Sequence, residues 1–532
     1  MAQPLACDVT HVEGDGVPEE NPLAAELDEH RARIADGARP GAMAKRAATG
    51  HRSVRENIRD FVGAGTFHEY GSATIAAQRS RRDLDDLQAS TPADGMVTGV
   101  ARVPVDGGEL TCVVLGYDYT VLAGTQGYFN HKKTDRALEV ARERRLPVVL
   151  FAEGGGGRPG DVDAMLVSAT GLDLGTFAAL GALNGLVPTV AVVTGRCFAG
   201  NAAMAGTCDI IIATADSSIG MAGPAMIEGG GLGRVAADEV GPMSVQAPNG
   251  VVDLVVDDDA QAVEAARDYL WLLSGLPGTG EAPDQHVLTT LVPQRRKLVY
   301  DIRTAIETLA DDGFVLELRP EFAPNAVTAL VQIGGRTCGV MANDCGVLGG
   351  AIDAAAGDKF ARFMQLCEGY GIPLVSLCDT PGFMVGPDAE REGTVRHVSR
   401  MFVAGARLTV PTIVVITRKG YGLGAMAMAC GGFRRTSATL AWPTAEIGAM
   451  GLEGAVRLGF AKELGAIEDP AAREERFEEL VAQQYEQGKA LNAARLDEID
   501  EIIHPAETRE RILQLIGGFP GERSTRPHID TW

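Results

Sequence analysis

The sequence is poor in aromatic residues and in positive charge. Only 5% of its 532 residues are aromatic, whereas 66 are glycine, a balance that favours an α/β enzyme with many turns. The 48 Lys and Arg residues are outnumbered by 71 Asp and Glu residues, which gives a formal net charge of −23. This charge argues against nucleic acid as a partner. An anionic substrate would need a local basic patch, because the overall field repels it.

Membrane segments and cysteine-based sites are also missing from the sequence. No apolar run approaches the ~20 residues of a membrane-spanning helix. The first residues, M-A-Q-P-L-A-C-D, lack a basic region followed by an apolar core, so we expect no signal peptide. None of the nine cysteines forms a C-x-x-C pair. We therefore expect no metal site and no disulfide framework, and a location in the reducing cytoplasm.

A glycine-rich stretch, T-R-K-G-Y-G-L-G-A-M-A-M-A at Thr417–Ala429, is the most informative part of the sequence. It follows an apolar run at 410–416 that predicts a buried strand, and it ends in good helix formers. Its glycines therefore lie in a strand-to-helix turn. The free N–H groups at a helix start can bind an anion or a developing oxyanion. The alternative is a tight turn that serves only helix–sheet packing.

The order of predicted elements divides the chain into two domains after an N-terminal extension over residues 1–50. From about residue 95 the pattern indicates two strands and a helix, followed by further strands and helices. A segment rich in Pro and Gly at 275–296 gives the best boundary, and the same order of elements begins again after it. We predict an N-terminal domain over 51–280 and a C-terminal domain over 290–532.

The two domains also correspond in sequence. E-G-G-G-G at 153–157 matches D-T-P-G-F at 379–383, which lies 226 residues later. Further on the spacing becomes 223, and T-G-R-C-F-A-G-N-A-A-M at 194–204 matches T-R-K-G-Y-G-L-G-A-M-A at 417–427. A slip of three residues is what a loop insertion produces. We therefore interpret the chain as two copies of one fold.

Each copy has two glycine-rich loops at the carboxyl ends of predicted strands. Two such loops can direct two backbone N–H groups at one oxygen, which is the geometry of an oxyanion hole. Each well-placed donor lowers a reaction barrier by a few kcal/mol. Two copies imply two holes, which suits a reaction with two developing oxyanions.

Four motifs resemble a known family. They are F-A-P-N-A-V (322–327), D-T-P-G-F-M-V-G (379–386), V-I-T-R-K-G-Y-G-L-G-A (415–425) and A-W-P-T-A-E-I-G-A-M-G-L-E-G-A-V (441–456). Residues 50–520 resemble the carboxyltransferase (β) subunit of biotin-dependent acyl-CoA carboxylases, the propionyl-CoA and acetyl-CoA carboxylase group. The resemblance implies an α/β fold of two tandem crotonase-like domains built from ββα units.

The resemblance also implies an assembly and a reaction. Family members are hexamers, built as a trimer of dimers, with the active site at the dimer interface. Acyl-CoA lies on the first domain of one chain, and biotin on the second domain of its neighbour. The carboxyl group passes from carboxybiotin to the α carbon of the thioester. One hole holds the ureido oxyanion and the other holds the thioester enolate, so no side-chain base is needed.

The correspondence between the copies selects the candidate amide donors. The first hole is expected to use Gly156 or Gly157 with Gly200 and Asn201, and the second Gly382 or Phe383 with Leu423 and Gly424.

Six further residues are expected to contact CoA or biotin. They are Lys132, Lys133, Arg196, Pro381, Tyr421 and Gly422. The alternative for the lysines is a solvated helix face.

Two dipeptides and one further residue depart from the family pattern. Leu423-Gly424 and Gly200-Asn201 stand where the family commonly has Gly-Ala, and Met426 stands where propionyl-type members often have Asp. Met is flexible and apolar. We interpret these changes, with Met426 lining the substrate pocket, as a shift of specificity toward a bulkier acyl chain. The alternative is neutral repacking.

Partner proteins are expected because parts of the complete reaction are absent. The sequence has no A-M-K-M biotinyl-lysine motif, no obvious ATP-binding loop and no four-cysteine zinc module. Biotin carboxylase and the biotin carrier are therefore expected on separate chains. Three alternatives stay open: a biotin-dependent acyl-CoA decarboxylase, a crotonase-type hydratase using Glu153 or Glu228, and a non-catalytic acyl-CoA-binding scaffold.

Overall fold

The computed structural model describes residues 21–166, 168, 170–517 and 528–532. The first 20 residues of the predicted N-terminal extension lie outside this range. The strands of the first half are β1 Thr66–Tyr70, β2 Met96–Val105, β3 Gly108–Tyr117, β4 Val148–Phe151, β5 Thr189–Val193, β6 Arg196–Phe198, β7 Ile210–Thr214, β8 Ser218–Gly220 and β9 Leu254–Val256. The strands of the second half are β10 Val315–Glu317, β11 Ala326–Ile333, β12 Arg336–Asn343, β13 Leu374–Thr380, β14 Thr412–Tyr421, β15 Ala438–Ala441, β16 Glu446–Gly448 and β17 Glu501–Ile502.

Helices cover both sheets. Those of the first half are α1 Pro22–Ile34, α2 Pro40–Ala47, α3 Val54–Val62, α4 Leu84–Ser90, α5 Tyr128–Arg144, α6 Thr176–Gly181, α7 Gly200–Thr207, α8 Pro224–Gly229, α9 Met243–Gln246 and α10 Asp259–Ser274. Those of the second half are α11 Arg303–Leu309, α12 Ala354–Tyr370, α13 Pro387–Arg391, α14 Thr394–Arg407, α15 Gly422–Met428, α16 Leu452–Gly459, α17 Ala461–Gly465, α18 Pro470–Gln487, α19 Ala490–Arg495 and α20 Thr508–Gly517.

The two halves have the same sheet topology. The strand order is β1-β2-β3-β4-β5-β7-β9 in the first half and β10-β11-β12-β13-β14-β15-β17 in the second. In each sheet the first three strands pair antiparallel and the following strands pair parallel. This identity of order and direction agrees with the predicted duplication. It also places the carboxyl ends of β4 and β5, and of β13 and β14, at one edge of each sheet.

A backbone detail also recurs 226 residues apart. Gly124 and Gly350 both have positive φ, at 63° and 83°. A Cβ on Gly124 would lie 2.5 Å from the carbonyl oxygen of Glu153, and a Cβ on Gly350 would collide with the carbonyl of Asp379. Glycine is therefore required at both positions, because backbone packs on backbone at the start of each candidate loop.

Two elements differ in extent from the prediction. The basic amphipathic pattern over residues 134–145 predicts a helix there, but the helix begins earlier, at Tyr128, whose N–H donates to Asp161 Oδ2 at 3.0 Å. The strand expected to end at Ile416 continues to Tyr421, because β16 pairs with this last part of β14. The glycine-rich stretch is therefore strand up to Tyr421 and helix from Gly422, with no intervening loop.

The halves share a hydrophobic core and buried polar contacts. One apolar cluster contains Val149 and Ile212 of the first half together with Leu330 of the second. Arg319 Nε donates to Asp253 Oδ1 at 2.8 Å, and this pair also joins the halves. The C-terminal tail, residues 528–532, adds further contacts to both. The domain boundaries near 280 and 290 stay a prediction.

Within the described ranges, no helix is long and apolar enough to cross a membrane. The same residues contain no group of three or more His, Cys, Asp or Glu side chains arranged to hold a metal ion.

Candidate active site

The loop after β4 and the start of α7 meet in the first half. The Gln126 N–H donates to the Gly156 carbonyl at 2.8 Å, and the Arg158 N–H donates to the Gln126 carbonyl at 2.8 Å. A Cβ on Gly156 would lie 3.5 Å from the amide nitrogen of Gly200. The loop and the helix start are therefore in direct contact.

The side chain of Asn201 holds this arrangement together. Its Oδ1 accepts from the Gly156 N–H at 2.9 Å, and its Nδ2 donates to the carbonyls of Gly124 at 3.1 Å and Glu153 at 3.0 Å. The side chain is completely buried. Gly156 has thus already used its N–H group, which distinguishes it from Gly157.

Among the N–H groups without an acceptor here, as far as the described residues extend, three lie where the loop meets the helix start. They belong to Gly157 in the loop and to Gly200 and Asn201 at the start of α7, where a helix leaves its first donors free. We call them the first amide group.

The second half repeats the arrangement at the spacings predicted from the sequence. The Ile352 N–H donates to the Gly382 carbonyl at 3.0 Å, and the Met384 N–H donates to the Ile352 carbonyl at 2.8 Å. The Gly382 N–H is again engaged, here with Thr380 Oγ1 at 3.1 Å. A Cβ on Gly424 would lie 2.7 Å from Gly382 Cα and 3.2 Å from the Phe383 amide nitrogen. Gly424 therefore leaves no room for a side chain such as that of Asn201.

The free donors of the second half are equivalent to those of the first. They belong to Phe383 in the loop and to Leu423 and Gly424 in the first turn of α15, again among the described residues. We call them the second amide group. Each group can stabilise an oxygen that gains negative charge, because preorganised N–H dipoles need no reorientation as the charge develops.

A buried ion pair supports each loop. Arg46 of α2 binds Glu153 in a bidentate pair, with N–O distances of 2.6 and 2.8 Å. Burial raises the pKa of Glu153 to about 7, and the guanidinium of Arg46 opposes this rise. In the second half Arg418 Nη2 donates to Asp379 Oδ2 at 2.8 Å. Glu153 and Asp379, which lie at equivalent strand ends, are therefore both engaged in ion pairs that support the loops carrying the N–H donors.

A family model described as "Carboxyl transferase domain" matches residues 45–516. The chain belongs to this carboxyl transferase family. The methylmalonyl-CoA carboxyltransferase 12S subunit of Propionibacterium freudenreichii subsp. shermanii is 34% identical over 519 residues, covering 94% of this chain and 95% of that one.

Solved structures agree with this assignment. A single-chain, multi-domain long-chain acyl-CoA carboxylase is 55% identical with a TM-score of 0.87, over 93% of this chain and 49% of that chain. This chain thus spans about half the length of that carboxylase. The transcarboxylase 12S hexamer core, solved with methylmalonyl-CoA, is 29% identical with a TM-score of 0.81, over 97% and 98% of the two chains. The predicted class of crotonase-like α/β domains is confirmed.

The basic residues expected to contact CoA separate into two kinds in this carboxyltransferase. Lys132 and Arg196 are exposed. Lys133 is buried, and its Nζ donates to the carbonyls of Ala93 at 2.9 Å and Met96 at 2.5 Å. Burial lowers the pKa of Lys133 to about 8. Lys133 thus stabilises the backbone from within, and it is not among the residues that we propose to bind CoA.

Residues expected around the second site also differ in their surroundings. Pro381 is exposed and Gly422 is half-buried. The Tyr421 side chain is buried, and its hydroxyl is already engaged, because it donates to Glu446 Oε2 at 2.9 Å. Leu423 and Met426 are 60% and 40% exposed on α15. An apolar surface therefore adjoins the second amide group.

The acids considered for a hydratase are not placed for that reaction. Glu153 is bound to Arg46, and Glu228 forms an exposed pair with Arg234 at 2.6 Å. Sequence reasoning did not identify the roles of Asn201, Thr380, Arg46 and Arg418 as supports. The match of Glu153 with Asp379 between the two copies was the one indication of these roles in the sequence, since it placed two acids at equivalent strand ends.

Proposed function

We propose that this chain transfers a carboxyl group from carboxybiotin, presented by a carrier protein, to the α carbon of an acyl-CoA thioester. The observation that carries the proposal is that each of the two copies of the fold forms one amide group. Each offers N–H donors free of competing acceptors, which fits an oxygen bearing negative charge. Carboxybiotin supplies the carboxyl group, and the chain's own residues supply binding and charge stabilisation.

The first amide group is assigned to the thioester oxygen. Gly157 and Gly200 donate to this oxygen, on which negative charge would grow as the α proton passes to the biotin nitrogen that has released the carboxyl group. The second amide group, with Phe383 and Leu423, is assigned to the ureido oxygen of biotin. No side chain acts as base, which accords with the occupied state of the strand-end acids. Lys132 and Arg196 are the cations proposed for the CoA phosphates.

A long acyl chain is the proposed substrate. Leu423 and Met426 present exposed apolar surface beside the second amide group. A large substituent gains stability by covering such surface, at about 25 cal/mol per Å² of apolar area. The 55% identity with a long-chain acyl-CoA carboxylase supports this choice.

The proposed assembly is a hexamer of this chain, with the active site between two copies. The 12S neighbour assembles as a hexamer. Exposed apolar side chains of the second half, Val385, Val395 and Met450, suit burial against a second copy. Biotin carboxylase and the biotin carrier are the proposed partners. In the long-chain carboxylase neighbour, one multi-domain chain extends well beyond the part matched here.

The test is incorporation of labelled bicarbonate into acyl-CoA. The purified chain is mixed with a biotinylated carrier, biotin carboxylase, ATP and a panel from acetyl-CoA to long-chain acyl-CoA. We expect label in the acyl product, highest with long chains. Absence of label with every substrate, while the carrier itself becomes carboxylated, would overturn the carboxyltransferase proposal. Label with acetyl-CoA or propionyl-CoA alone would overturn only the long-chain assignment.

A further inference from the structure

The buried side chains of Tyr421 and Glu446 and the exposed side chain of Arg296 form a polar network at the start of α15. Among the described residues, the equivalent positions of the first half carry no such network. Glu446, on β16, accepts from the Tyr421 hydroxyl at 2.9 Å through Oε2. Its Oε1 lies 2.6 Å from Arg296 Nε. Tyr421 is the residue immediately before helix α15, so its side chain anchors the point where the free donors begin.

Comparison of the two copies shows that the Tyr421–Glu446 contact is specific to the second half. In the ladder, Lys419 pairs with Glu446 in the second half as Arg196 pairs with Ser218 in the first. Glu446 therefore occupies the place of Ser218, and Tyr421 that of Phe198. The first half has neither the carboxylate nor the phenol at these two positions. The Phe198 side chain can contribute only packing, whereas the Tyr421 side chain donates a hydrogen bond to a carboxylate.

The network also reaches the segment that connects the two halves. The guanidinium of Arg296 lies 3.5 Å from the centre of the Tyr485 ring. The carbonyls of Arg296 and Leu298 accept from Arg418 Nη1 at 3.3 and 2.7 Å. Because Arg418 also binds Asp379, one short segment is tied to both backbone pieces of the second amide group. Residues 296–298 are linked to the loop through Arg418 and Asp379. They are linked to the helix start through Glu446 and Tyr421.

We propose that Glu446 is a positioning residue for the second amide group. It fixes the position of Tyr421 relative to the connecting segment, residues 296–298. The inference rests on the proposed function. A carboxylate suits this position because it accepts from a phenol and a guanidinium at once, and hydrogen bonds to a charged acceptor are short and strong. Loss of either contact allows the start of α15 to shift relative to Phe383. An error of a few tenths of an ångström in a donor position weakens charge stabilisation without abolishing binding.

The test compares Tyr421→Phe and Glu446→Gln with Tyr485→Phe. The first removes only the hydroxyl that contacts Glu446. The control removes a hydroxyl that contacts Glu453 and keeps the ring under Arg296. We expect Tyr421→Phe and Glu446→Gln to lower kcat by about tenfold. KM for acyl-CoA should change much less than kcat, because the thioester and the CoA phosphates bind at the first amide group and only the acyl chain is proposed to contact α15.

Decarboxylation of carboxybiotin in the absence of acyl-CoA gives a second readout, since it depends on the second amide group alone. It should slow in both variants and stay at the wild-type rate in Tyr485→Phe. Equal kcat in Tyr421→Phe and Tyr485→Phe would overturn the inference, and so would equal effects on kcat and on KM. If Glu446→Gln does not fold, Tyr421→Phe decides the question. An inactive wild-type chain would instead count against the proposed function.

Discussion

Asn201 joins three pieces of backbone through one buried amide. Its contacts to Gly124, Glu153 and Gly156 hold the first loop against α7. The second half reaches the same loop geometry with Thr380, because Gly424 leaves no space for a side chain. Asn201 and Thr380, which are not equivalent in the two copies, therefore fix the equivalent loop glycines, Gly156 and Gly382, by accepting their N–H groups.

Asn201→Asp is predicted to be more damaging than Asn201→Ala. The carboxylate keeps the size of Asn but places negative charge against two carbonyl oxygens, whereas Ala only removes three hydrogen bonds. We expect Ala to lower the free energy of unfolding by about 3 kcal/mol, about 1 kcal/mol for each lost hydrogen bond, and Asp by about 5 kcal/mol. Urea unfolding and kcat measure the two effects. Asn249→Ala, at an exposed position, is the control, and equal losses in Asp and Ala variants would contradict the charge argument.

The sequence predicts where the donors lie but not which amides are free. Alternatives such as Gly156 or Gly157 stayed open because both are glycines of one loop. The answer depends on Oδ1 of Asn201, a contact 45 residues away in the chain. Lys133 shows the same limit, because no local pattern distinguishes a lysine that binds buried carbonyls from one on a solvated face. Non-local packing decides both cases.

Helix α15 supplies donors through its first turn and exposes Leu423 and Met426 on its surface. The sequence predicts the helix well, because good helix formers follow the glycines. It does not predict that β14 continues directly into the helix, since that depends on pairing with β16, more than 20 residues away.

Leu423→Pro is predicted to remove one donor of the second amide group. Proline is tolerated in the first turn of a helix, and the Leu423 side chain is largely exposed, so the fold should persist. We expect kcat to fall by about a hundredfold, the usual effect of losing one oxyanion donor. Leu423→Ala keeps the N–H group and controls for the lost side chain. Equal activities of the two variants, both hexameric by light scattering, would remove this amide from the mechanism.

The whole molecule is held together across its two halves, partly by the C-terminal tail. The Ile529 N–H donates to Asn184 Oδ1 in the first half at 2.9 Å. Asp530 Oδ2 accepts from Gln365 at 3.0 Å and from Arg400 at 2.7 Å in the second half. The duplication can be predicted from the sequence, whereas the contacts of residues 528–532 cannot, because five residues are too few to show a periodicity.

Asp530→Asn is predicted to destabilise the protein at neutral pH. Burial raises the pKa of Asp530, but the bonds from Gln365 and Arg400 outweigh this and lower it overall. A carboxyl whose pKa is lowered by folding stabilises the protein above its unfolded pKa of about 3.9 and loses that contribution as pH falls. We expect a loss of about 1 kcal/mol or less at pH 7, shrinking below about pH 4.

Urea unfolding at pH 7 and below about pH 4 measures this difference. Asp28→Asn removes an exposed charge from a pair within α1 and is the control. A loss of stability that is independent of pH would show that the side chain acts through packing and not through its charge.

Because the proposed donors are main-chain N–H groups, an alanine scan does not remove them. An alanine scan replaces side chains, so it leaves the N–H groups of Gly157, Phe383 and Leu423 in place. Such a scan would register Asn201, Thr380, Tyr421 and Glu446, the groups that position the backbone, as though they were the active centre. Replacement of a single amide by an ester, through semisynthesis or suppressor tRNA loaded with a hydroxy acid, addresses the donors themselves. For a duplicated fold it also allows each half to be silenced separately.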